Sequence, residues 1–142
     1  MKKINWILVC VVILFVGFLS GCQEPSTTTE NNISNKIDLE SDVVELAYAN
    51  INQHIEGTKT VQVDVEYLFK NVADRIISIE ITAEFYDENN NLIYTGGPKY
   101  MTNLPVGYVE TNILPVNIMS YSGEDAYKVD HIKIVVEEYL GT

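Results

Sequence analysis

Cysteine occurs twice in this chain of 142 residues, tryptophan once and histidine twice, while Lys and Arg together number nine. Each scarcity removes a class of function. Two cysteines, Cys10 and Cys22, cannot build a disulfide framework, and their spacing is not that of a Cys-x-x-Cys pair. The single tryptophan, Trp6, precedes both, which removes the Trp-on-disulfide core of antibody-type immunoglobulin domains. His54 and His131 lack His-x-x-x-His spacing and a neighbouring acid cluster. They are expected to be solitary surface or rim residues, with no metal and no cofactor bound. Cations scattered singly among 20 Asp and Glu leave a formal charge of -11 and no basic stripe, so nucleic acid is not an expected partner. No G-x-S-x-G nucleophile motif is present, and no catalytic residue is expected. The length suits one globular domain with extras, and a monomer is expected.

What is present begins at the amino terminus. Lys2 and Lys3 precede an unbroken apolar run of 14 residues, Trp6–Leu19. As a helix it covers roughly 21 Å, short of the roughly 30 Å hydrocarbon core, which suits a signal h-region better than a permanent span. The run ends in Leu19-Ser20-Gly21-Cys22. This resembles the lipobox of prokaryotic lipoproteins: an aliphatic residue, two small residues and the cysteine that receives the lipid. The resemblance implies a signal peptide over residues 1–21, cleavage between Gly21 and Cys22, and lipid attachment at Cys22. The protein would then be exported and lipid-anchored to the outer face of the cytoplasmic membrane or to the cell envelope. Cys10 would leave with the signal, so no disulfide forms and an apolar core alone must hold the domain. Seven cations would remain against 20 acids, a mature charge of -13.

Gln23–Ser41 holds Ile33, Ile37 and Leu39 as its only aliphatic residues, among Pro25, Thr27-Thr28-Thr29 and Asn31-Asn32. Such a stretch reads as a flexible linker over residues 22–41 with a reach of roughly 25 Å. Asn32-Ile33-Ser34 matches a glycosylation sequon, a three-residue pattern that arises often by chance.

The remainder, residues 42–142, is patterned for strands. Val61, Val63, Val65, Tyr67 and Phe69 alternate with polar neighbours, as do Ile77, Ile79, Ile81, Ala83 and Phe85, and then Ile132, Ile134 and Val136. Asp87–Asn91 supplies turn chemistry before a short return strand, Leu92–Thr95, which Gly96-Gly97-Pro98 ends. Val106–Pro115, bracketed by Pro105 and Pro115, is a further extended candidate, either an edge strand or a segment interrupted by loops. Val43–Ile55 fits a strand or a helix; the Glu56-Gly57 turn that follows favours a hairpin strand. The expected fold is all-β, an antiparallel immunoglobulin-like β-sandwich.

Leu68-Phe69-Lys70-Asn71, the Ile-rich strand ending Ala83-Glu84-Phe85-Tyr86-Asp87, Leu92-Ile93, and Leu104-Pro105-Val106-Gly107-Tyr108 together resemble the FxLYD-type β-sandwich domain of prokaryotic lipoproteins. Tyr86 and Asp87 match the name-giving motif, while Ala83 and Phe85 stand where Phe and Leu are usual. The resemblance implies a sandwich and no catalytic residues.

Asp87, Asn89 and Asn91 open like an EF-hand loop, but Leu92 takes the place of its glycine and Pro98 that of its closing glutamate. A hairpin turn rich in Asx is the better reading. Asp64/Glu66 and Glu80/Glu84 are expected as solvated charge on wet strand faces, without the desolvation a general acid needs. Tyr67 is assigned to the core, and Tyr86, Tyr108 and Tyr139 to strand ends. Tyr94, Tyr100 and Tyr108 are the candidate contacts for a partner. The function expected is a lipid-anchored interaction or accessory module for an envelope protein or polymer. The alternative is a small-ligand or cation-binding lipoprotein.

Overall fold

The structure, a computed structural model, describes residues 33–109 and 117–141. Residues 1–32, 110–116 and 142, with the expected signal segment, the expected lipobox and most of the expected linker, lie outside the described residues. The described part is a β-sandwich. One sheet runs β1-β7-β4-β5, from β1 (Ile37–Glu40), β7 (His131–Glu138), β4 (Ile77–Tyr86) and β5 (Leu92–Leu104). The other runs β2-β3-β6, from β2 (Val44–Glu56), β3 (Lys59–Asn71) and β6 (Asn117–Ser122). A short 3-10 turn, Ala126–Lys128, precedes β7.

Alternation dictates the core. Val63, Val65, Tyr67 and Phe69 of β3, the Ile77–Phe85 odd positions of β4, and Ile132, Ile134 and Val136 of β7 are all buried in one cluster. Each Val, Ile and Phe side chain among them contributes about 1.5–3 kcal/mol relative to exposure. Val44–Glu56 is a strand, and Gly57, at φ 63, closes the β2–β3 hairpin where Glu56 faces Lys59.

Three expectations are corrected. Ile37–Glu40, assigned to the linker, is β1: it pairs in parallel with Ile132–Val135 and buries Ile37. Even before it, Ile33 bridges to Ala49 and the Ser34 amide donates to the Ala49 carbonyl at 3.1 Å. The segment thus starts on one sheet's edge and ends on the other's, and the compact unit begins at Asn31. Two or three apolar residues suffice because the partner edges supply the hydrogen bonds.

Gly96-Gly97-Pro98 does not end the return strand, which runs on to Leu104 as β5. The glycines let it bulge instead, with a register shift opposite Ile81 and Ala83. At Gly97, φ is 107 and a β-carbon would sit 2.8 Å from the Ile81 carbonyl oxygen, so only glycine fits. Of the proposed Val106–Pro115 strand, Val106 and Gly107 form a turn and Val109 makes a lone bridge to Lys70; the rest lies outside the described residues. β6 was not expected.

Candidate functional site

The three tyrosines singled out from the sequence are exposed, at 39%, 53% and 39% for Tyr94, Tyr100 and Tyr108. The fold does not bring them together. Tyr94 opposes buried Phe85 and therefore points inward at the sandwich margin, where its ring stacks on Tyr121 of the other sheet at 4.8 Å. Tyr100 opposes Glu80 and lies on the outer face, with its ring 5.0 Å from that of Tyr139. The bulge at Gly97 is what separates the two, because it flips the facing of one stretch of β5 relative to the other. Tyr108 sits in the loop after β5, held by its own backbone: its carbonyl accepts from the Asn71 amide at 2.8 Å.

A different set of side chains converges on the outer face of the β2-β3-β6 sheet. Asp64, in the central strand, is 9% exposed. His54 Nε2 donates to its Oδ2 at 2.6 Å and Gln62 Nε2 to its Oδ1 at 2.7 Å. The Ser120 hydroxyl of β6 donates to it as well. Ser122 Oγ in turn donates to Gln62 Oε1 at 3.0 Å. Burial pushes the Asp64 carboxyl upward, but the three donors outweigh it and hold the group below the usual carboxylate range.

Two sequence expectations are thereby corrected. Asp64 is not solvated charge, and His54 is not solitary. The cause is a register shift between His54 and Ile55. Without it, the turn at Gly57 would set Val61 opposite His54 and Asp64 opposite Ile51, turning Ile51 to the wet face. The one-residue shift aligns Asn52 with Asp64 and His54 with Gln62, so polar meets polar. The arrangement does not suit nucleophilic catalysis, which needs the hydroxyl on the imidazole; here the serine bonds to the carboxylate. It orients His54, whose side chain remains 56% exposed.

His131 also has company. Its ring stacks on Tyr86 at 5.3 Å and 6°, and its Nδ1 lies 3.4 Å from Asp130 Oδ2. Tyr86 OH donates to Glu84 at 2.6 Å, and that bond, with burial second, raises the phenol. Glu80 and Glu137 stand directly opposite on neighbouring strands, a like-charge pair that costs stability. Burial first, and the Glu80 carboxylate second, push the Tyr100 phenol up.

The Asp87 carboxylate is occupied by its own turn. It accepts from the Asn89 amide at 2.9 Å, the Asn91 amide at 2.8 Å and Asn91 Nδ2 at 3.0 Å, and the Asn91 side chain leads in lowering its pKa. This is Asx-turn chemistry, as the sequence suggested. Among the described residues, no group of three or more His, Cys, Asp and Glu is placed to hold a metal ion.

Sequence reasoning missed Asn71, which is 1% exposed at the end of β3. Its Nδ2 donates to the carbonyls of Arg75, Leu104 and Pro105 at 2.8–3.1 Å and its Oδ1 accepts from the Ala73 amide. It ties the β3–β4 connection to the end of β5. Its place on the dry parity of β3, after Val65, Tyr67 and Phe69, was the available signal.

No family model matches the chain, and no curated protein sequence matches it. Among solved structures, the crystal structure of Campylobacter jejuni cj0090 is similar over 75% of this chain and 100% of its own, at 10% identity and a TM-score of 0.39.

Proposed function

We propose that the chain is an exported lipoprotein, anchored through lipid on Cys22, whose sandwich works as an interaction or accessory module at the cell envelope and performs no catalysis. The observation that carries this is the order of Lys2-Lys3, the 14-residue apolar run and Leu19-Ser20-Gly21-Cys22, set just ahead of a unit that begins by Ile33. Ten residues separate Cys22 from Ile33, and ten residues span at most about 35 Å. The anchor therefore keeps the domain close to the bilayer, closer than a linker ending at Ser41 would. In the same reading the sandwich is immunoglobulin-like and akin to the FxLYD-type domain. In support, β3 and β6 neighbour each other in one sheet and β4 and β7 in the other, as strands B/E and C/F do in that fold. Tyr86 and Asp87 close β4 and open the turn, which fits the motif's end.

The binding character follows from charge. An acidic module favours basic or neutral partners and repels anionic polymers, and binding to a basic partner weakens once the Debye length shortens to about 8 Å near 0.15 M salt. The test is Cys22→Ser with membrane fractionation and mass spectrometry of the amino-terminal peptide. The wild type is expected to carry at least two acyl chains and to resist salt washing, because one chain anchors only marginally. A Cys22→Ser protein that is cleaved and membrane-held like wild type overturns the reading.

A further inference from the structure

Like charges set directly opposite each other across a ladder cost stability unless a cation neutralises them. Glu80 of β4 and Glu137 of β7 are such a pair. Among the described residues, no Lys, Arg or His forms an ion pair with either. Lys133, on the same face of β7, is engaged with Glu40, and Arg75 with Glu138 at 2.5 Å. The chain thus leaves two carboxylates together without a counter-charge. Departures from local rules of this kind gather where a fold binds something.

The same row carries aromatic surface. Tyr100 of β5 stands opposite Glu80 on its other side, and its hydroxyl hydrogen-bonds the Glu80 carboxylate. Residues paired across a ladder share a face, so Tyr100, Glu80 and Glu137 form one row across three strands. Tyr139, on the same parity as Glu137, brings its ring to 5.0 Å from that of Tyr100. The two rings meet at 60°, so neither lies flat on the other, and the residues remain 53% and 37% exposed. Next to the row, Glu80 and Glu137 border a groove of about 160 Å³ completed by Thr82, Glu84 and Val135.

We propose that this row is the contact surface of the interaction module, and that its occupant is an arginine side chain on an extended basic segment of a partner protein. The inference rests on the reading of the sandwich as such a module and adds the surface and the chemistry of the partner. The unneutralised carboxylates supply acceptors for a guanidinium fork, and the open tyrosine rings supply faces on which it stacks. Arginine suits the row better than lysine because one planar group does both. A metal ion does not fit, since no third ligating side chain joins the pair among the described residues. A second copy of the chain does not fit either, because it brings the same acidic row to the contact. A small free amine lacks enclosure on an outer sheet face, whereas a segment laid along the strands gains contacts on both sides of the arginine.

The full chain in nonionic detergent tests this by fluorescence anisotropy with a labelled peptide, Gly-Ser-Gly-Arg-Gly-Arg-Gly-Ser-Gly, at roughly 0.05 M salt. Glu80→Gln with Glu137→Gln should weaken binding about tenfold, and Tyr100→Leu with Tyr139→Leu about fivefold. Glu56→Gln with Glu124→Gln removes the same charge away from the row and should change binding less than about twofold. The glutamine pair relieves repulsion, so its cooperative thermal transition should persist and a loss of binding is not a loss of fold. A peptide with citrulline for arginine keeps the shape without the charge and should bind at least about tenfold more weakly. Equal weakening by the row pair and the remote pair overturns the proposal and leaves the module's preference for basic partners in place. A wild type that does not bind the arginine peptide at millimolar concentration overturns both. Citrulline peptide or free arginine amide binding as tightly as the arginine peptide also overturns the proposal.

Discussion

The two outer faces of the sandwich treat carboxylates in opposite ways. On the β2-β3-β6 sheet, Asp64 is nearly buried and satisfied by His54, Gln62 and Ser120. On the β1-β7-β4-β5 sheet, Glu80 faces Glu137 across the ladder while Lys133 pairs with Glu40 of β1. Both faces come from strands with the same period-two pattern. What differs is the neighbour: a bulged hairpin and a serine-bearing β6 turn donors toward one carboxylate, whereas an unbulged pairing sets another against its like. Position on the wet parity therefore does not tell whether an acid stabilises or destabilises a sheet.

The harshest break of the comparison is to place a carboxylate on neither outer face but inside. Ile81→Asp buries an unpaired charge at a position 1% exposed and should abolish folding, a loss above about 4 kcal/mol visible as the disappearance of the cooperative thermal transition. Next, a chain begun at Asp42 loses β1, with Ile37 and the Glu40 partner of Lys133, and bares the β7 edge. It should be less stable than one begun at Asn31 by about 3 kcal/mol in urea titration.

Asp64→Ala strands the donors of His54, Gln62 and Ser120 and should cost about 2 kcal/mol. Its pH signature follows from linkage. The folded-state pKa of Asp64 lies below the unfolded value, so its contribution is complete above the ordinary carboxylate range and is lost as pH falls through that range to the folded value. Asp64→Asn should accordingly flatten the decline of stability as pH falls through and below the ordinary carboxylate range; an unchanged slope would contradict the assignment. The smallest effect belongs to the other face: Glu137→Gln relieves the repulsion with Glu80 and should be neutral or stabilising by up to about 0.5 kcal/mol, and a clear loss would show that the pair is compensated.

The strands were legible wherever one face is dry: Val61–Phe69, Ile77–Phe85 and Ile132–Val136 carry their burial in their alternation. Gly57 and Asp87–Asn91 announced their turns because positive φ and Asx bonding are local chemistry. β1 was not legible, since Ile37 and Leu39 become a strand only when the β7 edge lies beside them. β6 was hidden for a similar reason: its pairing with β3 joins residues about fifty to sixty positions apart in the sequence.

By itself, then, the sequence determined the alternating faces, the turns, the acidic charge and the Leu19–Cys22 signature, all properties of neighbours along the chain. The tertiary structure alone decided the pairing of His54 with Asp64, the separation of Tyr94, Tyr100 and Tyr108, and the clasp of Asn71. Each depends on register and strand order, and a single inserted residue changes both without leaving a mark in the hydrophobic pattern.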